Sequence, residues 1–109
     1  MYRKQLNYIL EDLNKKIVFI IGLRQVGKTW LALEAGENFK HTTYLNYDSF
    51  KDREIIKKAY WPETTELLIL DEIHKMPDWK NFLQGIYDTK SDRLKILVTG
   101  NARLDYLQG

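Results

Sequence analysis

With 109 residues the chain has room for one domain and no more, and 44% hydrophobic with 29% charged residues places it among ordinary soluble globular proteins. A net charge of +2 spread over scattered basic residues gives little support to a nucleic-acid surface, and pairs such as Lys57-Lys58 read as a solvated face. The absence of cysteine excludes a disulfide framework and a thiolate metal site, no apolar run approaches the ~18 residues needed to span a bilayer, and a charged N-terminus replaces any apolar signal core, so a cytoplasmic protein is expected.

Leu6, Ile9, Leu10 and Leu13 fall on one stripe of a helix ending near Asn14. An apolar strand from Lys16 to Ile21 comes next. A glycine-bounded loop follows, then a helix from about Gly27 to Ala35 that Gly36 stops as a C-terminal cap. Thr42 to Asp48 is rich in β-formers and predicts a second strand. Ser49 with Asp52 three residues on resembles a capping box, for a helix reaching about Tyr60 before Trp61-Pro62 breaks it. Leu67-Leu68-Ile69-Leu70 is a continuous apolar run, the pattern of a strand buried on both faces of a parallel sheet. Beyond Pro77, Asp78 is placed to cap a helix whose Trp79, Phe82, Leu83, Ile86 and Tyr87 keep helical spacing. Lys95 to Thr99 reads as a fourth strand, and Ala102 to Leu107 as the start of another helix. Strands alternating with helices predict an α/β domain with a parallel sheet and right-handed crossovers. Trp61, Trp79 and Tyr87 read as core or edge packing, not as a platform for stacking bases.

The first strand runs into Gly22-Leu23-Arg24-Gln25-Val26-Gly27-Lys28-Thr29, which is G-x-x-x-x-G-K-T, the spacing of a phosphate-binding loop. Glycines let successive backbone N–H groups turn into one concavity, at which the next helix aims its positive end. Lys28 supplies a mobile cation for the β- and γ-phosphates of a nucleotide, and the Thr29 hydroxyl a ligand for Mg²⁺. The second motif is Leu67-Leu68-Ile69-Leu70-Asp71-Glu72, which sets two carboxylates where a buried strand emerges at its C-terminal edge. Ligands bind at that edge in doubly wound folds. Asp71 is the candidate for holding Mg²⁺, and Glu72 for polarising an attacking water. At the end of the fourth strand, Asn101 or Thr99 is placed to orient water, Asn101 being preferred because its amide both donates and accepts. His74 has no second ligand at metal spacing and reads as a loop histidine. Arg24 inside the loop is as readily solvent-facing as functional, and Arg103 reads as a surface residue before an arginine finger.

Taken together, Gly22 to Thr29, Tyr44-Leu45-Asn46-Tyr47-Asp48, Leu70 to Trp79 and Val98 to Leu104 match one family in type and order. The chain resembles the ATP-binding domain of prokaryotic AAA-superfamily ATPases, of the type usually joined to a C-terminal nuclease-like domain of uncharacterised function. The resemblance covers nearly the whole chain. It implies a three-layer P-loop NTPase core with a short parallel sheet, the fourth strand inserted between the first and third to give the order 1-4-3-2. It also implies ATP and Mg²⁺ as ligands, Lys28, Thr29 and Asp71 as their contacts, and Glu72 as the hydrolytic carboxylate. The family often reads T-G-S where this chain has Thr99-Gly100-Asn101. Family members run to several hundred residues, so the resemblance further implies that a fifth strand, a helical lid and a partner domain are missing here, as in a truncated product or an excised fragment. A second subunit or that further domain is the expected partner. Two other functions fit the motifs: a non-hydrolysing nucleotide-binding or interaction module, and a P-loop kinase acting on a small acceptor.

Overall fold

The computed structural model describes residues 3–22 and 25–101. In chain order these form α1 (Arg3–Asp12), β1 (Val18–Gly22), α2 (Gln25–Gly36), β2 (Thr42–Asn46), α3 (Phe50–Lys58), β3 (Leu67–Asp71), a 3₁₀ turn (Ile73–Lys75), α4 (Trp79–Thr89) and β4 (Lys95–Asn101). The helix expected from Ala102 to Leu107 lies outside the described residues, as do Arg24 and Arg103.

The four strands form one parallel sheet in the order β1-β4-β3-β2, as the resemblance implies. Period-two alternation divides the strand side chains between two cores. Leu67 and Ile69 of β3, Leu97 of β4 and Val18 of β1 face Ile9 of α1, Leu13 just past its end, and Leu31, Ala32 and Ala35 of α2. Leu68, Leu70, Ile96 and Val98 face the other way, onto Ile56 of α3 and Trp79 and Leu83 of α4. Helices therefore cover both faces, which makes three layers. Each of Leu67, Leu68, Ile69 and Leu70 is fully buried, and their unbroken apolar run has this two-sided burial as its cause. Trp79 meets Phe19 of β1 edge to face, with ring centroids 6.2 Å apart, and Trp61 and Tyr87 pack at the margin of the same core. Among the described residues no helix is long and apolar enough to cross a membrane.

Several element ends differ from the sequence expectation, each for a local reason. Helix α2 begins at Gln25, so that Gly27 lies in its first turn. It runs through Gly36, which is not a cap beyond its end: a Cβ there would come within 3.0 Å of Thr42 Cγ2, and the glycine lets α2 sit close against β2. At α3 half of the capping box forms: Ser49 Oγ accepts from the Asp52 amide at 3.3 Å, while the Asp52 carboxylate accepts from the Asn46 amide at 3.0 Å and not from that of Ser49. That helix stops at Lys58 because Ala59 adopts the left-handed conformation (φ 52°), its amide returning to the Ile55 and Ile56 carbonyls. Asp78 does not cap α4. At φ 61° its carboxylate is turned away from the helix amides and accepts instead from Asn81 Nδ2 at 2.9 Å.

Candidate functional site

The carboxyl ends of β1, β3 and β4 lie side by side, with Gly22 opposite Asn101 and Asp71 opposite Thr99. Parallel strands in register bring the tails of three distant segments to one edge of the sheet. Asp71 follows Ile69 by two residues, and its carboxylate consequently emerges on the α2 face. Thr99 shares that face, two residues after Leu97.

Asp71 is 3% exposed and is the focus of the site. The Thr29 hydroxyl, from the first turns of α2, donates to Asp71 Oδ2 at 3.1 Å. The Tyr44 phenol of β2 donates to the same oxygen, and the Thr99 hydroxyl of β4, itself fully buried, donates to Oδ1. Burial, reinforced by the bond to the carboxylate, holds the Tyr44 proton well above the usual tyrosine range, so the phenol is a donor at any ordinary pH. Thr99 thus touches the carboxylate directly, and its hydroxyl proton is committed there. Lys28 is 6% exposed, and its ammonium donates to the Gly100 carbonyl at the tip of β4. Leu23 and Arg24 lie outside the described residues, as do the side chains of Gln25, Val26 and Asn101, so the reading of Asn101 is not placed.

Glu72 marks the turn out of β3. Its φ of 59° is uncommon for a residue with a side chain, and this is what sends its carboxylate in a different direction from that of Asp71. The Glu72 amide is anchored by the Thr99 carbonyl at 3.1 Å. Its carboxylate is 4% exposed and has His74 Nε2 at 3.5 Å and Lys75 Nζ at 3.6 Å. Lys75 also donates to both oxygens of Asp48 at 2.9 Å, and that bond is the main reason its ammonium is held above its ordinary value. His74 is drawn below the usual histidine range by burial, with the Glu72 carboxylate opposing and the Lys75 and Lys28 cations adding to the effect. Instead of an isolated loop histidine, His74 is a neighbour of Glu72. The sequence did hold a signal for it, since a residue two places past Glu72 in a tight turn shares its surroundings. Tyr44 had none, because only the sheet order shows that β2 lies beside β3.

The residues present suit a magnesium ion. A carboxylate and a hydroxyl converge within 3.1 Å, both hard oxygen donors. Among the described residues no cluster of three or more His, Cys, Asp or Glu side chains could hold a metal by itself.

A strand ending in a G-x-x-x-x-G-K-T loop, a helix carrying Lys28 and Thr29, and an Asp71 reached by Thr29 together define a P-loop nucleotide-binding domain. The model of the AAA domain family matches residues 14–109, and the chain belongs to that family. Among solved structures it is similar to one described as the structural basis for DNA unwinding at forked double-stranded DNA by two coordinating Pif1 helicases, with a TM-score of 0.54, 18% identity and 91% of this chain covered. The match takes in 32% of that helicase chain, so the present sequence spans about a third of its length. At such identity the likeness is one of fold. No curated protein sequence matches the chain.

Proposed function

We propose that this domain binds ATP with Mg²⁺ and hydrolyses it to ADP and phosphate. The observation that carries the reading is the gathering of Lys28, Thr29, Asp71, Glu72 and Thr99, from α2, β3, β4 and the turn after β3, at one edge of the sheet. Lys28 leaves the Gly100 carbonyl for the β- and γ-phosphates, an exchange of one oxygen acceptor for better-charged ones. Backbone amides of the loop and of the start of α2 supply the remaining donors to the phosphates. Thr29 and Asp71 would hold a magnesium ion, whose charge would offset that building up on the phosphates during transfer. Glu72 takes the proton of the attacking water as general base, and Thr99 keeps Asp71 oriented meanwhile. A cytoplasmic location suits a consumer of ATP, and a second subunit or a further domain is the expected partner in turnover. The unwinding activity of the structurally similar helicases is not carried over, because the modest charge of +2 offers no stripe for a nucleic-acid backbone.

Two variants separate binding from chemistry. Lys28→Ala is expected to weaken ATP binding by tenfold or more, on the order of 1.4 kcal/mol, in a direct titration. Glu72→Gln is expected to bind ATP as the parent does and to release phosphate at least ~100-fold more slowly, the usual worth of a general base. Equal affinity of Lys28→Ala and parent would remove the site assignment. Unchanged turnover in Glu72→Gln would remove the base.

A further inference from the structure

We propose that Tyr44 is a positioning residue that sets how firmly Asp71 takes up Mg²⁺, a role that rests on the ATP·Mg²⁺ reading above. Tyr44 stands on β2, on the α2 face of the sheet, opposite Ile69 and two residues before the position paired with Asp71. From there its ring reaches along the sheet so that the phenol meets Asp71 Oδ2, the oxygen that Thr29 also reaches. Thr99 holds the other oxygen. Hydroxyls from β2, α2 and β4 therefore converge on one carboxylate that is 3% exposed.

These three donors are not equivalent. Thr29 is the one whose oxygen is offered to the cation, so its geometry is tied to the ion and the phosphates. Tyr44 and Thr99 belong to strands of the same rigid sheet as Asp71 and do not depend on what is bound. One fixed donor on each oxygen stops the carboxylate rotating about its Cβ–Cγ bond, and Tyr44 is the fixed donor on the oxygen nearest Thr29. Without it, Oδ2 keeps only the hydroxyl that is engaged with the ion, and the carboxylate is free to turn. Hydrogen-bond partners of metal-holding groups are worth roughly 10–100-fold in metal affinity. Tyr44 acting only through Asp71 places the expected effect at the lower end, about tenfold.

The test uses Tyr44→Phe, which deletes one oxygen and leaves the ring. Binding of a fluorescent ATP analogue is titrated in EDTA and again across a Mg²⁺ series, for the parent, Tyr44→Phe and Lys28→Ala. We expect Tyr44→Phe to match the parent in EDTA while its half-saturating Mg²⁺ concentration moves about tenfold upward, within the range of such outer partners. A merely structural tyrosine would give the opposite pattern, weaker binding in EDTA with the Mg²⁺ midpoint in place, and that result overturns the proposal. An unchanged midpoint and unchanged binding in EDTA also overturn it, yet leave the ATP·Mg²⁺ reading standing as long as the parent responds to Mg²⁺ and Lys28→Ala fails to bind. Parent protein whose nucleotide binding ignores Mg²⁺ removes both.

Discussion

At the scale of single residues, the proposed chemistry turns on two neighbouring carboxylates that the backbone sends in different directions. Asp71 ends β3 in extended conformation and meets only hydroxyl donors, whereas Glu72, at φ 59°, turns toward a histidine and a lysine. The roles proposed for them, holding a metal and accepting a proton, need that difference in surroundings. His74 gives it a measurable pH signature. Burial holds the folded His74 below the ordinary histidine value of 6.5, so between the two values the unfolded chain binds more protons than the folded one. Stability from this group is then complete above about pH 6.5 and declines as the pH falls below it. Urea unfolding followed from pH 8 to pH 5 is expected to show a steeper acid loss for the parent than for His74→Gln. Parallel curves would mean that His74 carries no such linkage.

At the scale of elements, helices and strands were legible where a period or a composition enforced them, and illegible where a cap or a close approach decided. Ser49 announced the start of α3 correctly because a serine before Phe50 has few other ways to satisfy the Asp52 amide. Asp78 misled, since with the left-handed backbone that brings the chain out of the Pro77 turn its carboxylate meets the Asn81 side chain and none of the free amides of α4. Gly36 misled for another reason, a packing demand from Thr42 across the layer that no local pattern carries. Gly36 and Gly85 therefore predict opposite outcomes. Gly85 lies in the exposed middle of α4 with nothing within 4 Å of an added Cβ, so Gly85→Ala is expected to stabilise the fold by about 0.5–1 kcal/mol. Gly36→Ala gains the same propensity but presses on Thr42 at 3.0 Å, and no net gain is expected. Thermal or urea unfolding of the pair decides both.

For the whole molecule, the G-x-x-x-x-G-K-T spacing and the Asp71-Glu72 pair stood out in the sequence because the chemistry proposed for them demands fixed residue types at fixed spacing. The sheet order came only with the family resemblance, since nothing in the residues themselves says that β4 enters between β1 and β3. The contact of Tyr44 with Asp71 was hidden for the same reason, being a product of that order and not of any motif. Strand β4 carries Thr99 and Gly100 to the site and is hydrogen-bonded on both sides. Among the described strands, β1 pairs with β4 alone. A fragment ending at Leu94 is accordingly expected to show no cooperative unfolding transition by circular dichroism, with its phosphate loop held against nothing. Cooperative melting of that fragment would show that β1 finds another support.

The order of the sheet also bears on how the polypeptide is made. A ribosome delivers β1, β2 and β3 before β4, which among the described strands joins β1 to the rest, so the greasy ribbon of Leu67 to Leu70 is bare along one edge until β4 emerges. During that interval the nascent chain is most open to sticking to its neighbours, and a holding chaperone has most to offer. The keystone arrives after the strands it joins, and the nucleotide cradle is assembled in the same step that links β1 to β3.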